Sequence, residues 1–226
     1  MPLELQLTAP RELAFVPYDD PPLQPGEVRA RAIVSGISHG TEMNLFTGHN
    51  PFVDQEFDPA LRLFVPRQEP LAGAIFLGYE WVGEVIDIGP DVKKFKVGDR
   101  VHLPFRHRQT HTFHEETETS LSRVRSLPTE LSGERAIFLA LAGVALQAIH
   151  DAHIKVGDTV VIFGMGVIGL LAAQLAKLNG AAWVAAVDPI ASRRELALGL
   201  AADATFDPAN EDVAYAIKTS TPYRGA

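Results

Sequence analysis

Residues 160–188, VVIFGMGVIGLLAAQLAKLNGAAWVAAVD, constrain this chain more than any other stretch. An apolar run, Thr159–Phe163, meets Gly164-Met165-Gly166-Val167-Ile168-Gly169, and a small-residue helical pattern over Val167–Leu178 begins inside those glycines. Glycine spacing alone is common; a strand before the G-x-G-x-x-G and a helix after it give the pattern its weight. In such a turn the first glycine permits the bend. The second lets backbone approach a pyrophosphate, and the third lets the helix pack closely on the strand. The helix N-terminus adds free N–H groups and the positive end of its dipole. The alternative is a tight strand–helix turn that binds nothing. Asp188 closes the next apolar run, Ala182–Val187, at 188 − 169 = 19 positions after Gly169. A carboxylate there accepts hydrogen bonds from ribose hydroxyls and repels a 2′-phosphate, which favours NAD over NADP. Arg193 and Arg194 follow, and an arginine nearby accommodates a 2′-phosphate, so NADP stays admissible. Otherwise the two arginines are an ordinary solvated helix face. The expected cofactor-binding residues are Gly164, Gly166, Val167, Ile168, Gly169, Asp188 and Arg193.

Around this turn the chain has two grammars. Up to about residue 126 it carries His39, His49, His102, His107, His111 and His114, and short β-rich runs alternate with turn signals. Glu27–Ile37 and Glu80–Gly89 alternate charged and apolar residues as half-buried strands do. Gly83 marks a bulge or a close backbone contact. Val97–Leu103 reads as a turn and a strand. This half is expected to be a small, irregular β-barrel. From Leu127 a long helical pattern runs over Pro128–Ala152, with Thr129 or Ser132 as N-cap. Strands at Thr159–Phe163, Ala182–Val187 and Ala204–Phe206 then alternate with helices at Val167–Leu178, Ala191–Leu200 and near Asn210–Lys218. That order implies parallel β-α-β units. The expected domains are residues 1–126 and 127–226. About three strands are visible where a dinucleotide-binding sheet usually has about six, so the sheet is expected to be abbreviated or the sequence a fragment.

Composition narrows the partners. Formal charge is 20 − 28 = −8, which argues against nucleic acid or an anionic membrane. With no cysteine among 226 residues, disulfide frameworks, thiolate zinc sites and cysteine nucleophiles are excluded. The N-terminal residues show no basic and apolar signal pattern, and the most apolar stretch is broken by Gly164, Gly166 and Gly169. The expected location is the cytoplasm.

Three stretches together, PGEVRARAIVSGISHGTEM (residues 25–43), LGYEWVGEVIDIGPDVKKFKVGDRV (residues 77–101) and the glycine turn, resemble the medium-chain dehydrogenase/reductase superfamily of alcohol-dehydrogenase-like enzymes. The resemblance covers essentially the whole chain. Its SGIS-x-GTE and GYE variants are most similar to bacterial members labelled zinc-type alcohol dehydrogenases and to bacteriochlorophyllide dehydrogenases. It implies an α/β fold with a β domain: a GroES-like β-barrel catalytic domain, then a truncated, doubly wound Rossmann sheet. In the family, nicotinamide cofactor binds in the cleft between the two domains. Zinc-bearing members hold the ion with a cysteine, a histidine of a Gly-His-Glu motif and a third acidic or cysteine ligand. This chain has Ser38 and Tyr79 at the first two positions and Leu139-Ala140-Leu141-Ala142 near the third. Hydroxyls are poor zinc donors at neutral pH, so no metal site is expected.

What replaces the ion is a proton donor or polarising group near the substrate oxygen. The resemblance points to Ser38, His39, Thr41, Tyr79 and Glu80 as catalytic candidates, with Glu42 a second supporting acid. Their bland alternatives are a packed aromatic for Tyr79, a helix cap for Thr41 and an arginine-held carboxylate for Glu80. His107, His111 and His114, flanked by Glu115 and Glu116, suggest a metal cluster at helical spacing, but the neighbouring threonines favour a loop or strand. His49–Pro70 reads as a substrate loop. The expected activity is NAD(P)-dependent interconversion of a small alcohol and a carbonyl without zinc, in a protein that is monomeric or a homo-oligomer. The rivals are a quinone or enone reductase using NADPH and a non-catalytic nucleotide-binding fragment.

Overall fold

The computed structural model describes residues 1–68, 75–117 and 124–221, and the chain divides into two compact units, Met1–Phe138 and Leu139–Ala226.

In the first unit β1 (Leu3–Ala9) and β2 (Glu12–Pro17) form an antiparallel hairpin, turned at Arg11 with φ +67°. β3 (Glu27–Gly36) is the long strand that organises the rest. Next come α1 (Thr41–Phe46), α2 (Pro51–Asp54), β4 (Gln55–Asp58), β5 (Leu63–Pro66) and β6 (Ile75–Phe76), the last pairing with β1. β7 (Glu80–Ile88), β8 (Arg100–Leu103), β9 (Thr110–His114) and β10 (Arg125–Ser126) join β3 in an antiparallel sheet of order β10-β8-β7-β3-β9. The alternation of β3 and β7 turns Val28, Ala30, Trp81 and Val85 to one face, where they meet Val101, Leu103 and Phe113 in a dry core. Val82 faces the other way and packs with Ala136 and Ile137 near α3 (Gly133–Ala136).

Gly83 has the close contact its place in the strand suggested. A side chain there would collide with the Trp81 indole, which lies along the same sheet face, and the β3 register shifts opposite it, between Ala32 and Val34. The stretch 49–68 departs from the expected loop; the last two residues of that expectation, 69 and 70, lie outside the described residues. It contains α2 and the β4–β5 hairpin, with Phe57 and Phe64 paired edge to face at 5.4 Å. Asp58 Oδ1 accepts from the Ala60 and Leu61 N–H groups at 2.8 and 3.0 Å, which makes the turn. Strands of four residues are too short to show a period in sequence.

The helical pattern 128–152 is likewise not one helix. It breaks into α3 and α4 (Leu139–Asp151), and the two units part at this break. Leu127, Leu131, Ala136 and Ile137 pack with Val82 of the first unit, so packing divides the chain later than the change of sequence pattern at Leu127.

In the second unit β11 (Thr159–Phe163), α5 (Val167–Leu178), β12 (Trp183–Val187), α6 (Ala191–Leu200), β13 (Ala204–Phe206) and α7 (Val213–Ser220) alternate. The three strands are parallel in the order β11-β12-β13. Central β12 is buried on both faces, as its unbroken apolar run requires. Val184 and Ala186 face α4, α5 and α6 through Ala145, Ala173, Ala176 and Ala197, while Ala185 and Val187 face Phe206 and Ile217 of α7. This is a Rossmann-type, doubly wound arrangement. Alanines at the α4–α5 and α5–β12 contacts let the backbones approach closely. Among the described residues, no helix is long and apolar enough to cross a membrane.

Candidate active site and cofactor turn

The glycines after β11 differ in what holds them. Gly164 sits at φ +88°, where a side chain is strained, and its N–H donates to the Val187 carbonyl at 2.7 Å, tying the turn to β12. A Cβ on Gly169 would collide with the Gly164 carbonyl oxygen. A Cβ on Gly166 would meet nothing within 4 Å. Two glycines are therefore required by the turn itself, whereas Gly166 keeps open space. Gly166 is also the N-cap of α5, and having no side chain it offers no cap to the first-turn N–H groups of Val167 and Ile168. The arrangement is an open cradle of backbone donors at the positive end of a twelve-residue helix.

Asp188 lies at the mouth of this turn, 2% exposed. Its Oδ2 accepts from the Met165 N–H at 2.7 Å and its Oδ1 from the Ile190 N–H at 2.8 Å. Burial alone pushes its pKa up. The Ile190 and Met165 N–H groups, helped by Arg193, outweigh that and hold it below the ordinary aspartate value. Arg193 is 3.7 Å from Oδ2, while Arg194 is committed to the Asp188 carbonyl at 2.6 Å and to Asp207 at 3.0 Å. Each carboxylate oxygen thus already serves the chain's own backbone and has one further lone pair for another donor.

The first-unit candidates gather where β3 ends and β7 begins, with Gly36 paired to Glu80. The Tyr79 hydroxyl donates to Ser38 Oγ at 2.6 Å. The Ser38 N–H donates to Glu42 Oε2 at 2.6 Å, and the Thr41 N–H reaches Ser38 Oγ at 3.5 Å. His39 and Thr41 are exposed beside this pair. Glu80 is 3% exposed, and among the described residues its Oε1 has no hydrogen-bond partner. Burial, then the charge of Glu42, push its pKa up. Gly36 makes room for it, since a Cβ there would lie 2.5 Å from Glu80 Oε2.

The histidines at 107, 111 and 114 do not converge. His107 is buried between Glu42 and Ser35. His111 Nε2–H donates to the Arg106 carbonyl, 2.8 Å away, and the ring packs against Trp81 and Phe105; burial lowers its pKa to about 4. His114 is exposed against Gly26, and Glu115 holds the Lys93 and Lys94 N–H groups instead. Among the described residues, no group of three or more His, Cys, Asp or Glu is placed to hold a metal ion. Ser35 is the member of this site that the sequence did not single out. Its only sequence signal is its position three residues before Ser38 at the end of an alternating strand.

Residues 24–133 match the alcohol dehydrogenase GroES-like domain. The chain is 36% identical over 228 aligned residues to D-guloside 3-dehydrogenase of Escherichia coli strain K12, covering 99% of this chain and 64% of the relative. It is 27% identical to (R,R)-butanediol dehydrogenase of Bacillus subtilis strain 168, over 89% of this chain and 62% of the relative. The crystal structure of 2R,3R-butanediol dehydrogenase from Bacillus subtilis superposes with a TM-score of 0.76 at 25% identity, covering 98% of this chain and 67% of that one. The chain therefore spans slightly less than two thirds of the length of these curated relatives.

Proposed function

The chain belongs to the medium-chain dehydrogenase/reductase superfamily, and from that premise we propose that it serves an NAD-dependent oxidoreductase interconverting an alcohol and a carbonyl by hydride transfer. The observation that carries the reading is the open glycine cradle between β11 and α5, with a buried carboxylate at its mouth. The cradle fits a dinucleotide: Gly166 leaves space where any other residue would intrude, and the uncapped N–H groups of Val167 and Ile168 suit pyrophosphate oxygens. Asp188 would accept from the ribose hydroxyls with its remaining lone pairs. Its negative charge disfavours a 2′-phosphate, and Arg193 beside it is the cation such a phosphate would need.

The bound cofactor supplies the hydride chemistry. The chain's own residues manage the proton. Because Tyr79 donates to Ser38 Oγ, the Ser38 hydroxyl hydrogen is left to donate to a substrate oxygen. As a carbonyl is reduced, Ser38 gives up that proton and takes the one Tyr79 offers, and half-buried Tyr79 recovers its proton from solvent; oxidation of an alcohol runs the same path in reverse and releases a proton to solvent. Thr41 and His39 flank the pair, and Glu80, buried, follows Tyr79 directly in the chain.

A catalytic zinc is not part of this reading. The superfamily's zinc-bearing members present thiolate and imidazole where this chain has two hydroxyls bonded to each other, and that donor set does not fit the ion. The relatives' names, a guloside and a butanediol dehydrogenase, support a small hydroxyl-bearing substrate.

Titration of the natural full-length protein with NADH and NADPH tests the cofactor: at least about tenfold tighter binding of NADH is expected. NADPH preference would instead favour metal-free reduction of an activated double bond. Tyr79→Phe and Ser38→Ala are each expected to lower kcat by about 10²-fold or more. Unchanged kcat in both removes the hydroxyl pair from the mechanism.

A further inference from the structure

Ser38 and Tyr79 come from segments 41 residues apart, yet both are referred to one residue. Through its side chain, His107 reaches Ser38: Nε2 lies 2.7 Å from Glu42 Oε1, and Glu42 Oε2 accepts the Ser38 N–H at 2.6 Å. Its Nδ1 is 2.9 Å from Ser35 Oγ, so both ring nitrogens are engaged. Nε2 can donate to the Glu42 carboxyl group while Ser35 Oγ donates to Nδ1. Through its backbone, His107 reaches Tyr79. Its N–H donates to the Leu77 carbonyl at 2.9 Å, and Gly78, at φ +111°, approaches so closely that a Cβ there would lie 2.6 Å from the His107 nitrogen. The His107 carbonyl accepts from the Leu5 N–H at 2.9 Å, anchoring the segment to β1. The His107 side chain is 6% exposed and that of Glu42 4%.

We infer that His107 is a positioning residue: the Ser35–His107–Glu42 chain fixes the Ser38 hydroxyl against the Tyr79 hydroxyl, so that the pair meets a substrate oxygen in one geometry. Nothing in this role requires His107 to touch substrate. The inference rests on the reading of Ser38 and Tyr79 as that pair. A displacement of about 1 Å at a reacting group costs up to about 10²-fold in rate, so loss of this clamp should appear in kcat more than in KM.

The test uses the natural full-length protein, NAD, and whichever of 2,3-butanediol or a methyl D-guloside it oxidises, together with hydrogen exchange at the Ser38 amide. His107→Leu should speed Ser38 exchange and lower kcat, each about tenfold or more, with KM within about threefold. His107→Gln carries an amide nitrogen near the Nε2 position and should restore both to within about threefold. Normal kcat in folded His107→Leu, beside impaired Tyr79→Phe, overturns the positioning role while leaving the hydroxyl pair standing. Normal kcat in Tyr79→Phe and Ser38→Ala, or no turnover of either alcohol by the unaltered protein, overturns both. If His107→Leu fails to fold, Ser35→Ala, which only loosens the ring, must lower kcat; unchanged kcat there refutes the inference.

Discussion

His102 should make the first unit sensitive to mild acid. It lies on β8, paired with Val82 on β7 and with Arg125 on β10. Paired residues share a sheet face, so the ring lies on the side of Val82, Ala136 and Ile137. It is 0% exposed, and among the described residues neither ring nitrogen has a hydrogen-bond partner. Burial, with the charge of Arg125 second, lowers its pKa from 6.5 to about 4. A histidine depressed in the fold binds its proton more tightly when unfolded. Its contribution is therefore complete above about pH 6.5 and drains away as pH falls toward about 4. At about 1.36 kcal/mol per pH unit, roughly 2–3 kcal/mol of stability is lost between pH 7 and pH 4.5. His102→Leu removes that loss and also the cost of two unsatisfied ring nitrogens, so at pH 7 it should be at least as stable as the parent. Urea unfolding followed by Trp81 fluorescence reads the first unit alone once Trp183, the second of the two tryptophans, is changed to Phe. The difference between His102→Leu and its parent should widen by roughly 2–3 kcal/mol in favour of the variant as pH falls from 7 to 4.5. Carboxylates titrate in both proteins and largely cancel in this difference. Equal pH slopes in the two proteins would refute the reasoning. His111, lowered to about 4 by the same cause, should leave a comparable acid loss in the variant.

Two further outcomes concern the cofactor turn. Gly169→Ala forces a methyl group onto the Gly164 carbonyl oxygen; a loss of about 1–3 kcal/mol in the second unit, read by Trp183 fluorescence, should accompany at least tenfold weaker NADH binding by calorimetry. Asp188→Asn retains one acceptor oxygen for two backbone N–H groups, so thermal unfolding of that unit should show a cost of about 1–3 kcal/mol even without cofactor. An Asp188→Asn protein that weakens NADH while keeping full stability would mean that the carboxylate serves the ribose and not the turn.

Local chemistry settled the second unit. β11, α5 and β13 have the bounds read from sequence, because each strand is a short run set off by turn residues and G-x-G-x-x-G leaves few ways to pass from strand to helix. A close contact at Gly83 was likewise legible; the structure adds that Trp81, two residues away on the same strand face, makes it. Other features depend on partners distant in sequence. Nothing near Asp188 announces that its oxygens hold Met165 and Ile190, because the first bond spans 23 residues. The pattern over 128–152 is helical throughout, and only packing against Val82 decides where it breaks. The spacing of His107, His111 and His114 suggests a shared task, but strand geometry and the backbone bonds to β1 and Leu77 send them to different surroundings. That His107 lies beside Glu42, 65 residues away, is decided by how β3, β7 and the segment before β9 come together. Residue types and short-range periods specify elements and the chemistry they carry. Which side chains share a site depends on long-range pairing, which no local pattern encodes.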